Sequence, residues 1–144
     1  MPIPKFNAYG LLPPGLHTSS LVEIEQSLAF SSKRQDMIET GLKPMIQSLL
    51  SIKISTIFIG GSFVTTKPSP NDIDGYVVTT LGSDAFQYII STQERWRSRY
   101  RVDLHPALSD IGGYGSQAFW EEWFGNTKEI PPNAKGILKL VLRR

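Results

Sequence analysis

The sequence predicts an α/β (α+β) fold, a small mixed β-sheet with helices packed mainly on one face. Three observations predict it. Stretches with apolar residues at helical spacing interleave with β-prone runs in the order α-α-β-β-α-β-α-β, without the strict alternation of an all-parallel sheet. The chain has 144 residues, the size of one ordinary domain. No internal repeat divides it, so residues 18–144 are expected to form a single domain preceded by an arm.

That arm is residues 1–17. Pro2, Pro4, Pro13, Pro14, Gly10 and Gly15 favour an extended course over a helix. Ser20 then offers an N-cap, with Glu23 at capping-box spacing, and Leu21, Ile24 and Leu28 predict a helix over 20–30. A second helix is predicted from Ser32 to Leu50, with a kink or break where Gly41 and Pro44 interrupt it. Residues 54–59 read as a mostly buried strand and 73–79 as another, β-prone through Tyr76, Val77 and Val78. Ser83 or Asp84 caps a helix to about Trp96. Tyr100 to His105 is a short alternating segment that Pro106 is expected to close. Gly112-Gly113-Tyr114-Gly115 is a turn, Ser116 caps a helix through Trp123, and residues 136–142 read as the last strand.

Composition removes several classes of function. There is no cysteine, which excludes disulfides, thiolate catalysis and zinc–cysteine sites. No apolar run approaches membrane-spanning length, and Met1-Pro2-Ile3-Pro4-Lys5 lacks the order of a signal peptide, so a cytoplasmic protein with no membrane partner is expected. The net charge of +2 is too small to argue for nucleic acid by itself. Arg95, Arg97, Arg99 and Arg101, like the terminal Arg143-Arg144, read first as solvated faces.

One stretch carries specific chemistry. The apolar run Ile57-Phe58-Ile59 leads into Gly60-Gly61-Ser62, a polar loop follows, and the loop closes on Asp72-Ile73-Asp74. Side chains alternate along a strand, so Asp72 and Asp74 share a face while Ile73 points into the core. Magnesium takes an oxygen shell, commonly one or two carboxylates completed by phosphate and water, and this pair can supply it. Gly60, Gly61 and Ser62 let backbone approach an anion, with Phe63-Val64-Thr65 as the first turn of a short helix. Nine residues lie between Ser62 and Asp72, enough to leave the turn and enter the next strand. A second metal for in-line transfer calls for a third carboxylate on an adjacent strand, and Asp103 is placed for it. Lys67 lies between the two motifs, within reach of a triphosphate, although a solvated loop lysine is the commoner case. His105 shares the alternation of Asp103 and reads as a structural histidine. Phe119, Trp120, Trp123 and Phe124 read as core before they read as a base-stacking surface.

Gly61-Ser62, Asp72-Ile73-Asp74 and Asp103, spread over residues 54–104, resemble the DNA-polymerase-β-like nucleotidyltransferase superfamily. The ends, Leu12-Pro13-Pro14-Gly15 and Lys135-Gly136-Ile137-Leu138, are similar to an uncharacterised bacterial family of small stand-alone members. The resemblance implies a nucleotidyltransferase fold with a two-metal Mg²⁺ site at Asp72, Asp74 and Asp103. It implies a nucleoside triphosphate substrate held by Gly60, Gly61, Ser62 and Lys67. The implied activity is transfer of a nucleoside monophosphate to a protein or RNA hydroxyl. Its setting would be a toxin–antitoxin or phage-defence pair, with the toxin or another operon product as partner. The alternative is a catalytically inactive module of the same fold that binds a partner protein, as an antitoxin does.

Overall fold

The computed structural model describes residues 3–129 and 131–143. Met1 and Pro2 of the expected arm and Arg144 of the basic C-terminal pair lie outside the described residues. Five strands form one sheet: β1 (Gly15–Ser19), β2 (Thr56–Gly60), β3 (Ile73–Thr79), β4 (Val102–Leu108) and β5 (Gly136–Val141). The helices are α1 (Leu21–Ser27), α2 (Ser32–Met37), α3 (Lys43–Ser51), α4 (Asp84–Tyr100) and α5 (Gln117–Phe124). The sheet order is β1-β5-β2-β3-β4. The two outer pairs, β1 with β5 and β3 with β4, are parallel, and the two inner pairs are antiparallel. The sheet is therefore mixed, as expected of an α+β fold.

The strand period assigns each residue to a face. Ile57 and Ile59 of β2, Ile73 and Val77 of β3, and Leu138 and Leu140 of β5 join the large core, which also holds buried residues of α1 to α4. Phe58, Tyr76, Ala107 and Ile137 point the other way and form a smaller cluster with Trp120, Phe124 and Phe119 of α5. Helices thus pack mainly on one face. The opposite face is half covered by α5, and its uncovered part is where the polar strand residues emerge.

Local chemistry explains most element ends. Ser20 caps α1, accepting from the Glu23 N–H at 3.2 Å while Glu23 accepts from the Ser20 N–H, the reciprocal pair its spacing predicts. The hydroxyl oxygens of Ser31, Ser83 and Ser116 cap α2, α4 and α5 by accepting from the N–H of Arg34, Phe86 and Phe119, without a return bond among the described residues. The expected break at Gly41 and Pro44 is a π-turn over Ile38–Leu42 that joins α2 to α3. Proline has no N–H and its ring crowds the carbonyl four residues back, so the chain widens by one residue there instead of stopping.

Three segments differ from expectation. The end of the arm is part of the sheet: residues 15–17 belong to Gly15–Ser19, the edge strand β1, which pairs with β5, and Leu11 and Leu12 are buried. Helix α4 runs a turn beyond Trp96 to Tyr100, ending at Arg101 in the left-handed conformation, with Arg97 and Arg99 suited to the helix C-terminus. Pro106 does not close β4, which continues to Leu108. Strand β4 is an edge strand, where a residue lacking an N–H is tolerated because only one side of its backbone has a partner. Among the described residues no helix is long and apolar enough to cross a membrane.

The large core sets the stability of the sheet. Leu49 of α3 is fully buried and Leu16 of β1 is half exposed. Leu49→Ala should cost about 2–5 kcal/mol, whereas Leu16→Ala should stay within about 0.5 kcal/mol. Urea unfolding curves check both, and equal midpoints for the two variants would contradict this assignment of the core.

Candidate active site

The loop after β2 is built around one arginine. Gly61–Val64 forms a 3₁₀ turn whose Phe63 and Val64 side chains are buried anchors. Behind it lies Arg34 of α2, 0 % exposed. Its Nε donates to the Lys67 carbonyl at 2.9 Å. Its Nη1 donates to the carbonyls of Leu28 at 3.2 Å and Phe63 at 2.6 Å. Its Nη2 donates to those of Ser62, Thr65 and Lys67 at 3.3, 2.7 and 2.7 Å. Phe30 and Phe63 present their rings to the guanidinium, 4.1 and 5.0 Å from centroid to Cζ. Among the described residues no carboxylate pairs with it; carbonyl dipoles and ring faces take that place. Burial lowers its pKa to about 10, which leaves it charged at neutral pH. The loop carbonyls are thereby turned toward Arg34. The arm closes over the far side of the loop, where Thr66 donates to the Gly10 carbonyl at 3.0 Å.

The carboxylates come together through register. Asp74 of β3 is the partner of Gly60 on β2 and of Asp103 on β4, which puts Asp74 and Asp103 side by side on the α5 face. Asp72 stands just before β3, with its carboxylate close enough to Asp74 that one proton can be shared between the two when either is protonated. Burial, then proton sharing with Asp72 and the charge of Asp72, then the charge of Asp103, push the Asp74 pKa up to about 7, with Lys128 acting the other way. The sheet thus holds a concentration of negative charge that a cation would relieve.

Asp103 is engaged differently. Arg97 Nη2 donates to its Oδ1 at 3.2 Å, Gln93 Nε2 reaches the same oxygen at 3.4 Å, and His105 Nε2 lies 3.6 Å from Oδ2. His105 stacks on Trp120 with ring centroids 4.1 Å apart, and Gln93 bonds its Nδ1 at 3.1 Å. Burial lowers the His105 pKa, and Asp103 opposes that shift. Among the described residues no group of three His, Asp or Glu side chains is gathered tightly enough to hold an ion as it stands. Asp72 and Asp74 face each other, and Asp103 is turned to its basic neighbours.

A cleft of about 580 Å³ collects these groups. Of the catalytic and nucleotide-binding residues expected from sequence, Gly61, Ser62, Asp72, Asp74 and Asp103 line it, and so do His105, Trp123 and Phe124, which read as structural. Gly60 and Lys67 do not. A Cβ on Gly60 would lie 2.7 Å from the Phe124 ring, so this glycine lets α5 seat against β2. A Cβ on Gly61, whose φ is +69°, would come 3.1 Å from Asp74 Oδ2, so that glycine brings the loop against the carboxylate. Lys67 is exposed, and its carbonyl serves Arg34. Thr65, expected in the turn after Ser62, also lines the cleft, whereas sequence reasoning missed Arg34 behind the loop and Thr127, Lys128 and Lys135 as site residues. Nothing in periodicity marks Arg34, a polar residue in the first turn of a helix. Lys128 and Lys135 look like solvated positions in a Pro-rich loop, and only the Lys135-Gly136 pair at the start of the last strand offered a signal.

Two outcomes test this geometry. A lysine has three donors and no planar fork, so Arg34→Lys should cost about 3 kcal/mol or more and speed amide exchange across residues 61–67; unchanged protection there would contradict the anchoring role. For Asp74, the folded pKa near 7 exceeds the ordinary 3.8. The folded state therefore holds the proton more tightly, and stability falls as pH rises from about 4 through about 7. At 1.36 kcal/mol per unit the full shift is about 4 kcal/mol, which solvent screening of this half-buried group reduces to on the order of 1–2 kcal/mol. Asp74→Asn should be more stable than wild type by that amount at pH 8 and no more stable at pH 4, as read from melting curves at the two pH values.

Comparison with the curated proteins and with the solved structures gave no match. Residues 4–141 match the model of DUF6932, a family of unknown function, and the chain belongs to that family.

Proposed function

We propose that this chain is a Mg²⁺-dependent nucleotidyltransferase that moves a nucleoside monophosphate from a nucleoside triphosphate to a hydroxyl of a protein or an RNA 3′ end. The observation that carries the reading is the meeting of Asp72, Asp74 and Asp103 with Gly61 and Ser62 in one cleft. The donor set suits a hard divalent cation, since it is all carboxylate oxygen and Asp74 bears repulsion that a cation would remove. Asp72 and Asp74 would hold the ion, with Asp103 for a second. Bound Mg²⁺ would neutralise phosphate oxygens and acidify the acceptor hydroxyl.

The chain's own residues divide the remaining work. Ser62 and the Gly61 backbone lie where they can hold phosphate oxygens of the substrate. The acceptor oxygen attacks the α-phosphorus, and the bond from that phosphorus to the bridging oxygen of the pyrophosphate breaks. Pyrophosphate leaves with the electron pair, and the hydroxyl proton passes toward Asp103. Arg97, Gln93 and His105 orient the Asp103 carboxylate for that role. A cytoplasmic toxin–antitoxin or phage-defence pair, with a second operon product as acceptor or partner, is the proposed setting.

One observation favours a second reading, a catalytically silent module that binds a partner protein. Asp103 is committed to Arg97 and is not turned to Asp72 and Asp74. Labelled nucleotides with Mg²⁺ and candidate acceptors separate the two. Label transfer should fall about 10³-fold or more in an Asp72→Ala, Asp74→Ala double variant. Transfer no greater than that of the double variant would overturn the enzymatic reading, and partner binding that survives the double substitution would support the silent module.

A further inference from the structure

The aspartates make up only one wall of the cleft; the other carries two lysines that the motif does not include. Lys128 and Lys135 both line the cleft, and both are close enough to Asp74 for its charge to bear on them. They are brought there by the loop between α5 and β5. Lys135 donates its N–H to the Gly125 carbonyl at 2.9 Å, and Thr127 donates to the Asn133 carbonyl at 2.8 Å, so the loop returns on itself and sets Lys135 beside the start of β5. Lys128 is exposed, and its ammonium is tied at 2.9 Å to the Trp123 carbonyl and lies 3.6 Å over the Trp123 ring.

Lys135 is the unusual one. Its side chain is half-buried, and among the described residues its ammonium has neither a hydrogen bond nor an ion pair. A lysine normally carries its charge out to water along its flexible stem. Among the described residues no ion pair joins either lysine to Asp72, Asp74 or Asp103, although all five line the same cleft. Opposite charges that face one another without contact fit a ligand presenting cation to one wall and anion to the other. A metal-bearing polyphosphate has that charge pattern, and about 580 Å³ lies within the range of small-molecule sites, roughly 300–1,000 Å³.

We propose that Lys135, assisted by Lys128, is the binding site for the β- and γ-phosphates of a nucleoside triphosphate, opposite the carboxylates. This rests on the nucleotidyl-transfer reading and deepens it, because it makes phosphate number the feature the cleft selects. Ser62 and Gly61 then contact the chain of phosphates from the β2 side and Lys135 from the β5 side. Burial disfavours the charge on Lys135 and Asp74 restores part of it, so the ammonium gains from an incoming anion.

Calorimetric titration of the full chain with inorganic tripolyphosphate, pyrophosphate and phosphate in Mg²⁺ tests this without a base or an acceptor. Affinity should rise with phosphate number, tripolyphosphate binding at least about tenfold tighter than phosphate. Lys135→Met should lose about tenfold or more of the tripolyphosphate affinity, Lys128→Met should lose less, and Lys135→Arg should stay close to wild type. Melting curves confirm that each variant is folded. Mn²⁺ binding in the absence of phosphate, followed by electron paramagnetic resonance, should be undiminished in Lys135→Met. Tripolyphosphate affinity unchanged in Lys135→Met would overturn the lysine site while leaving the carboxylate reading standing. Failure of the wild-type chain to bind Mn²⁺ would overturn the carboxylate reading. Tripolyphosphate binding that is metal-independent yet lost in Lys135→Met would keep the lysine site as an anion site alone.

Discussion

The cleft depends on the burial of one charge. Arg34 lies in the interior without a carboxylate, and its N–H groups are distributed over the carbonyls of Leu28, Ser62, Phe63, Thr65 and Lys67. Taking a guanidinium out of water is costly, and the cost is bearable only when its donors are matched. Here they are matched entirely by backbone, so the side chain specifies the path of the loop and not merely a contact. The same arrangement settles the polarity of the loop. Carbonyls drawn to Arg34 are drawn away from the cleft, which leaves that side of the loop compatible with an anion. Leu28 is the C-cap of α1, so the arginine also joins the helical layer to the loop after β2.

The second constraint is the register of the central sheet. Gly60, Asp74 and Asp103 are lateral neighbours on three adjacent strands. Slipping either pairing by one residue would turn a carboxylate into the large core and bring an apolar side chain out. Ile73, Val77, Val102 and Leu104, buried on the far side, hold that register. The near side is divided by α5. Phe124 covers the end of β2 at Gly60 and Trp120 stacks on His105, so the apolar half of the face is sealed and the acidic half stays open as the cleft. The energy that forces Asp74 beside two other carboxylates comes from this packing, a common relation between a stable core and a strained site.

Much of this was legible in sequence where a period or a cap carries the information. The strand over 73–79 and the serine caps at Ser20, Ser83 and Ser116 follow from rules that act over a few residues. Legibility ended where the deciding partner is distant. Residues 15–17 read as the end of the arm because their proline- and glycine-rich surroundings predict no strand, yet Gly15–Ser19 becomes one because β5, more than a hundred residues later, offers an open edge. Pro106 stops a strand in isolation but not at the margin of a sheet. Gly60 looks like part of a phosphate loop, yet its missing side chain makes room for Phe124.

By itself the sequence determined the class of fold, the order of its elements after the first strand, and a motif in which small residues, a serine and paired aspartates follow an apolar strand. Those features are local: hydrophobic period, capping chemistry and the alternation of a strand act within a few residues of chain. Only the tertiary structure decided which charges confront each other. Arg34 reaches a loop some thirty residues away, Asp103 is held by Arg97 and His105, and Lys128 and Lys135 arrive opposite the aspartates through a loop beyond α5. The reason is physical. Electrostatic partnership depends on distance in space and on exclusion of water, and neither is set until the sheet has closed its register and the core has packed.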